Sequence, residues 1–122
     1  GKPAYIDKRR LSSGEAIQRI REAGGIASIA HPKQMKLEER ELTQELARLV
    51  EEGLGAIEAY NSCQDRDEAA LYKRLAKRFN LLVTGGSDFH GANKPEVDLG
   101  YLGDGAELDY EVVEAMKASL KR

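Results

Sequence analysis

Apolar residues recur at helical spacing in four stretches of the chain. The first follows Ser12 and Glu15, which form a capping-box pattern, and it stops at a pair of glycines. The second ends at Gly53, the third begins near Asp65 and the fourth follows Asp109, a residue type favoured at helix N-caps. We therefore predict four amphipathic helices, whose apolar stripes occupy 17–23, 42–50, 72–79 and 113–120.

Short apolar runs lie between these helices, at 26–30, 55–60 and 81–84. Each is too short for an independent helix and too uniformly apolar for a half-exposed strand, as is typical of parallel sheets that helices cover. A further strand candidate, 97–102, is interrupted by glycine and acidic residues. The alternation predicts an α/β fold of βαβ units, as either a doubly wound sheet or part of a barrel.

We read residues 1–122 as a single domain with an entry segment at 1–11 and a long loop at 91–108. Charged residues make up 33% of the chain and the net charge is −2, so no overall field attracts nucleic acid or a membrane surface. A lone cysteine, Cys63, excludes an internal disulfide. No apolar run approaches the roughly 18 residues of a membrane span. We expect a cytoplasmic protein without a membrane partner.

Both histidines of the chain lie just beyond predicted strands. His31 follows the run 26–30, and Asp88 and His90 follow the run 81–84. Because the carboxyl ends of parallel strands open on one face, these three side chains are expected to converge. Imidazole and carboxylate are the usual ligands of Zn, Mn or Fe, and three protein ligands leave a coordination position open.

Ordinary structural roles remain open for the same residues. A histidine before proline is commonly a hydrogen-bonded turn residue, Asp88 suits an Asx turn or a helix cap, and His90 suits an exposed surface. Spacing and topology alone do not decide between these roles and a metal site. The nearby glycines at 85, 86 and 91 are expected to let the backbone turn sharply there.

Three more residues are candidate substrate contacts at this face: Lys33, Glu58 and Asn61. Lys33 could meet a phosphate, although solvated surface charge is its simpler role. Glu58 lies inside an apolar strand, where an unpaired carboxylate is costly, so it either faces the site or pairs with a nearby Lys or Arg. Asn61 at the end of the same strand is otherwise an ordinary turn residue.

The motifs of these strands resemble those of the polymerase-and-histidinol-phosphatase (PHP) family. They are Gly-Gly-Ile-Ala-Ser-Ile-Ala-His-Pro at 24–32, Gly-Ala-Ile-Glu-Ala-Tyr at 55–60 and Thr-Gly-Gly-Ser-Asp-Phe-His at 84–90. Their order and spacing match as well, and the resemblance runs from Lys2 to about Gly100. The chain is most similar to stand-alone PHP phosphoesterases that act on nucleotides or short oligonucleotides.

This resemblance implies a distorted (βα)₇ barrel with two or three metal ions at its C-terminal face. His31, Asp88 and His90 match the later metal-ligand motifs of the family, whose members hydrolyse phosphate esters with metal-activated water. The family's opening His-x-His strand has no counterpart here. The chain therefore looks like the C-terminal half of such a barrel, with the N-terminal half missing and little activity expected of this chain alone.

An alternative function remains, a non-catalytic metal-binding or assembly module of PHP ancestry. A half-barrel also leaves strand edges and inward-facing apolar residues without cover. We therefore expect a homodimer, with a compact monomer as the rival.

Overall fold

The computed structural model describes residues 12–87 and 110–120 and shows an α/β fold with a parallel sheet. The predicted alternation of helices and strands is confirmed over these ranges. In chain order the elements are α1 (Ser13–Glu22), β1 (Ser28–Ile29), a short 3₁₀ helix (Pro32–Met35), α2 (Glu39–Glu51), β2 (Ala56–Asn61), α3 (Arg66–Arg78), β3 (Leu82–Gly86) and α4 (Glu111–Leu120).

The predicted starts of α1 and α3 are confirmed by their caps. The hydroxyl of Ser12 accepts a hydrogen bond from the backbone N–H of Glu15 at 3.1 Å, which begins α1. Asp65 and Glu68 form a reciprocal capping box at the start of α3. Gly53 ends α2 with φ +109°, a conformation that favours glycine because it has no Cβ.

The sheet has the order β1-β2-β3, with both pairs of strands parallel. Two details differ from the sequence prediction. β1 contains only two residues, and β3 runs on through Gly85 and Gly86, where we expected a sharp turn. That expectation is wrong because both glycines remain paired with β2, where Gly86 lies opposite Asn61.

Within the described residues, one buried cluster joins α1, α2 and α3 to one face of the sheet. Leu46 of α2 is fully buried, and Tyr72 and Leu75 of α3 are nearly so. These side chains belong to the same cluster as Ile57 and Ala59 of β2. Both α2 and α3 therefore cover the face of β2 that presents Ile57.

The opposite face of the sheet is concave. The hydroxyls of Ser28 in β1 and Thr84 in β3 lie 3.3 Å apart, although β2 runs between their strands. Strands two places apart in a flat sheet are separated by roughly 9.5 Å, so the sheet must curve toward this face. Ala56 is opposite Ser28 in the register and is fully buried, and its small side chain leaves room for the contact.

Several predictions fall outside the described residues. These are the entry segment 1–11, the loop 91–108, the strand 97–102, the cap at Asp109, and Asp88 and His90. Within the described ranges, the longest and most apolar helices fall short of what a membrane span requires.

Candidate metal centre

His31 lies directly after β1 in an unusual backbone conformation. Its φ and ψ of 49° and 55° are left-handed, which is costly for a residue with a side chain, and Pro32 follows it. A carboxylate holds it there, since the backbone N–H of His31 donates to Oε1 of Glu58 at 3.0 Å. The conformation fixes where the imidazole leaves the chain, at the carboxyl end of the sheet.

Glu58 lies beside the His31 ring on the concave face. Its Oε1 is 3.7 Å from Nδ1 of His31 and also accepts a hydrogen bond from Nδ2 of Asn61 at 3.2 Å. Its other oxygen, Oε2, faces the end of β3, where a Cβ placed on Gly86 would lie 3.8 Å from it. Among the described residues, the ring of His31 lies beside the carboxylate of Glu58, and no Lys or Arg takes the pairing considered above.

Asn61 reaches Glu58 because β2 is irregular between them. Residues three apart in a regular strand point to opposite faces, but the pairing of β2 with β3 shifts by one residue between Glu58 and Tyr60. The carbonyl of Ala59, inside this irregularity, accepts a hydrogen bond from Nε2 of Gln64 at 2.7 Å. The bulge therefore brings the carboxylate, the amide and the imidazole into one cluster.

The end of β3 is joined to the same place. The hydroxyl of Ser62 donates to the backbone carbonyl of Ser87 at 2.7 Å, and Ser87 is buried. Asp88 is the next residue in the sequence. This hydrogen bond fixes the last described residue before the predicted ligands against the carboxyl end of β2.

Lys33 has protein partners in the described structure. Its ammonium donates to the carbonyl of Cys63 at 2.9 Å and to the carboxylate of Glu68 at 3.2 Å. It joins the 3₁₀ helix after His31 to the first turn of α3. These contacts stabilise the two loops around the cluster, and its role as a phosphate contact stays a prediction.

The donor set of the described residues suits a divalent transition metal. The imidazole of His31 is a ligand type that Zn and Mn accept, and the carboxylate of Glu58 lies within 4 Å of its Nδ1. Over residues 12–87 and 110–120, no group of three His, Cys, Asp or Glu side chains converges. The metal set of His31, Asp88 and His90 therefore stays a prediction for its two later members.

Three features of the cluster were missed by the sequence prediction: the bulge at Ala59, the bond from Ser62 and the support from Gln64. No periodicity marks a bulge, because the apolar run of β2 reads the same with or without it. The nearest signal was the run of polar residues at 61–64, directly after the strand.

Comparison with curated proteins relates the chain to phosphoesterases. It is 40% identical over 87 residues to a phosphoribosyl 1,2-cyclic phosphate 1,2-diphosphodiesterase of Eggerthella lenta, covering 71% of this chain and 29% of that protein. It is 29% identical over 104 residues to a 3',5'-nucleoside bisphosphate phosphatase of Chromobacterium violaceum, covering 85% of this chain and 36% of that protein. The chain thus spans about a third of the length of these relatives. No family model matches it.

Comparison with solved structures gives the same relationship. A Bifidobacterium adolescentis protein assigned as a metal-dependent phosphoesterase superposes with a TM-score of 0.71 at 28% identity. The match covers 96% of this chain and 40% of that one. The α/β fold with a parallel sheet is therefore shared with this protein.

Proposed function

Since this chain is a relative of PHP-type metal-dependent phosphoesterases, we propose that it carries part of the metal centre of an enzyme that hydrolyses nucleotide-sized phosphate esters. The observation that carries the proposal is the cluster of His31, Glu58 and Asn61 at the carboxyl ends of β1 and β2. Ligand sites of parallel α/β folds occur at this edge of the sheet.

In this proposal His31, Asp88 and His90 hold a divalent metal, with Zn, Mn and Fe as the candidates. A metal bound there would supply a Lewis acid for the oxygens of a phosphate ester. The chain's own contribution is to fix the imidazole of His31 through its backbone and to place the carboxylate of Glu58 beside it. This substrate class is supported by the names of two relatives, a phosphoribosyl cyclic phosphate diphosphodiesterase and a nucleoside bisphosphate phosphatase.

The proposal extends to the fold, as part of a barrel. Right-handed crossovers between strands in sequential order place their helices on one face, whereas a doubly wound sheet reverses its order and uses both faces. Here α2 and α3 share the face that presents Ile57, and the hydroxyls of Ser28 and Thr84 meet across the other. This curvature supports a barrel whose remaining strands come from a longer protein or from a second copy of the chain.

Calorimetric titration of the chain with ZnCl₂ or MnCl₂ tests the metal site. We expect one binding site that is weakened by His31→Gln and abolished by the double substitution of Asp88 and His90 by Ala. Glu51→Gln, an exposed change at the end of α2, serves as the control and leaves binding unchanged. Equal affinity in the double variant would contradict the proposal.

A hydrolysis assay tests the activity. We expect a nucleoside 3',5'-bisphosphate or a short oligonucleotide to be hydrolysed in the presence of Mn when the segment that supplies the His-x-His strand is provided, and little turnover by residues 1–122 alone. Metal binding without turnover under both conditions favours the alternative, a non-catalytic metal-binding module. Robust turnover by this chain alone that depends on His31 would contradict its proposed incompleteness.

A further inference from the structure

Nδ1 of His31 faces a hydrogen-bond donor and a hydrogen-bond acceptor at the same time. The donor is Nδ2 of Asn61 at 3.2 Å, and the acceptor is Oε1 of Glu58 at 3.7 Å. A ring nitrogen of histidine accepts a hydrogen bond when it is unprotonated and donates one when it carries the proton. The unprotonated form of Nδ1 therefore has a donor nearby in Asn61, and the protonated form has an acceptor nearby in Glu58.

The amide of Asn61 has only one orientation that satisfies its contacts. Its Oδ1 accepts the backbone N–H of Cys63 at 2.9 Å, and its Nδ2 donates to Oε1 of Glu58 at 3.2 Å. Turning the amide over would set an N–H against the N–H of Cys63 and an oxygen against the carboxylate. The group that faces His31 is therefore the NH₂, which requires Nδ1 to accept and places the proton of a neutral ring on Nε2.

Oε1 of Glu58 is also held in place by hydrogen bonds. The backbone N–H of His31 and the amide of Asn61 both donate to Oε1 of Glu58. A protonated Nδ1 needs to close from 3.7 Å to about 2.8 Å to donate to this oxygen. A small rotation of the ring, which is 30% exposed, provides that movement without displacing Glu58 or Asn61.

We propose that Asn61 and Glu58 are positioning residues that hold His31 in two tautomers, one for each state of the metal site. Without metal, Nδ1 accepts from Asn61 and Nε2 carries the proton. A metal held by Nε2 would require Nδ1 to carry the proton, and Nδ1 would then donate to Glu58. One proton would leave Nε2 for solvent and one would be taken up at Nδ1, so the ring would stay neutral. The inference rests on the proposed function, in which His31 is a metal ligand.

This role also accounts for the burial of Asn61. The side chain is 1% exposed, and both of its N–H groups and its oxygen already have protein partners. A substrate could reach its N–H groups only by breaking one of these hydrogen bonds. The geometry thus favours positioning over the substrate contact considered for Asn61 from the sequence.

Imidazole ¹⁵N NMR of the full chain tests the inference, because the protein has only two histidines. The His90→Gln variant assigns the ring of His31, and spectra are recorded at a pH where both rings are neutral. In the metal-free protein we expect Nε2 of His31 to be protonated and Nδ1 to be bare. Saturation with ZnCl₂ should move the proton to Nδ1. A metal-free ring protonated on Nδ1, or a zinc-loaded ring that keeps its proton on Nε2, would overturn the inference.

Two variants separate the roles of the partners. Asn61→Asp keeps the acceptor for Cys63 but replaces the donor by an acceptor, so the metal-free proton should move to Nδ1. Glu58→Gln keeps the shape but weakens the acceptor, so zinc affinity should fall about tenfold or more, as for other supporting partners of metal-bound histidines. Asn80→Asp, the same chemical change on an exposed residue before β3, should alter neither measurement.

The outcomes distinguish failure of the inference from failure of the metal site. Zinc that leaves the His31 resonances unchanged contradicts the metal site itself. Zinc that binds His31 through Nδ1, or that binds Glu58→Gln as tightly as the original chain, contradicts only the tautomer change. If Asn61→Asp fails to fold, the two states of the unaltered chain and the Glu58→Gln titration still decide the question.

Discussion

Replacement of Ser62 by Ala removes one hydrogen bond that connects the fold to the candidate metal centre. Its hydroxyl donates at 2.7 Å to the carbonyl of Ser87, 25 residues away in the chain. Ser87 is only 9% exposed, so water replaces the lost donor poorly. A carbonyl left unsatisfied in such a place costs about 1–3 kcal/mol, and we expect Ser62→Ala to lower the free energy of unfolding by that amount.

The functional consequence follows from the position of Ser87, directly before Asp88. Without the bond from Ser62, the carboxyl end of β3 is held less firmly against β2. Partners that orient metal ligands indirectly typically change affinity by about tenfold or more. We therefore expect the dissociation constant for zinc to rise about tenfold, which corresponds to about 1.4 kcal/mol.

Urea unfolding and zinc calorimetry measure the two effects, with Ser12→Ala as the matched control. Ser12 also loses a hydroxyl with a structural role, because it caps α1, and the expected loss of stability is about 1 kcal/mol. The first turn of α1 lies against Glu52, just before β2 begins and so at the opposite end of the sheet. Ser12→Ala should destabilise the protein without changing zinc affinity. Equal zinc affinities for Ser62→Ala and Ser12→Ala would refute the reasoning.

Two further predictions concern the core. Leu46→Ala should lower the free energy of unfolding by about 2–5 kcal/mol, because Leu46 is fully buried between the helices and the sheet. As the control, Leu120→Ala at a residue 52% exposed should change the free energy of unfolding by less than about 0.5 kcal/mol in the same denaturation assay. Burial raises the pKa of Tyr72, helped by the nearby Glu68 and Asp65, so ultraviolet titration should show this tyrosine ionising above its ordinary range near pH 10. Since the folded state keeps the phenol proton of Tyr72 to higher pH than the unfolded state, the contribution of this group to stability is complete below about pH 10 and is lost as the pH rises further. A Tyr72→Phe variant with an unchanged alkaline titration curve would contradict the assignment of the raised pKa to Tyr72.

The sequence alone determined the local elements of this protein. Caps and breakers such as Ser12, Asp65 and Gly53 act on neighbouring backbone groups, so their effect can be read without knowing the fold. The spacing of Leu42, Leu46 and Leu49 likewise identified the buried side of α2. Uniformly apolar runs indicated a parallel sheet, because such strands must be covered by helices.

The sequence also indicated which edge of the sheet holds the candidate site, through the position of His31 after β1. It could not show what surrounds that histidine. The partners of His31 are Glu58 and Asn61, 27 and 30 residues away, and only pairing of the strands brings them together.

Tertiary structure decided the rest through one irregularity. A one-residue shift between β2 and β3 places Asn61 beside Glu58, although regular alternation would have put them on opposite faces. Hydrophobic pattern specifies which residues are buried, but a bulge depends on the pairing of two strands and on support from residues such as Gln64. For that reason the sequence indicated where the candidate site lies, and the packing of its strands determined how His31 is held.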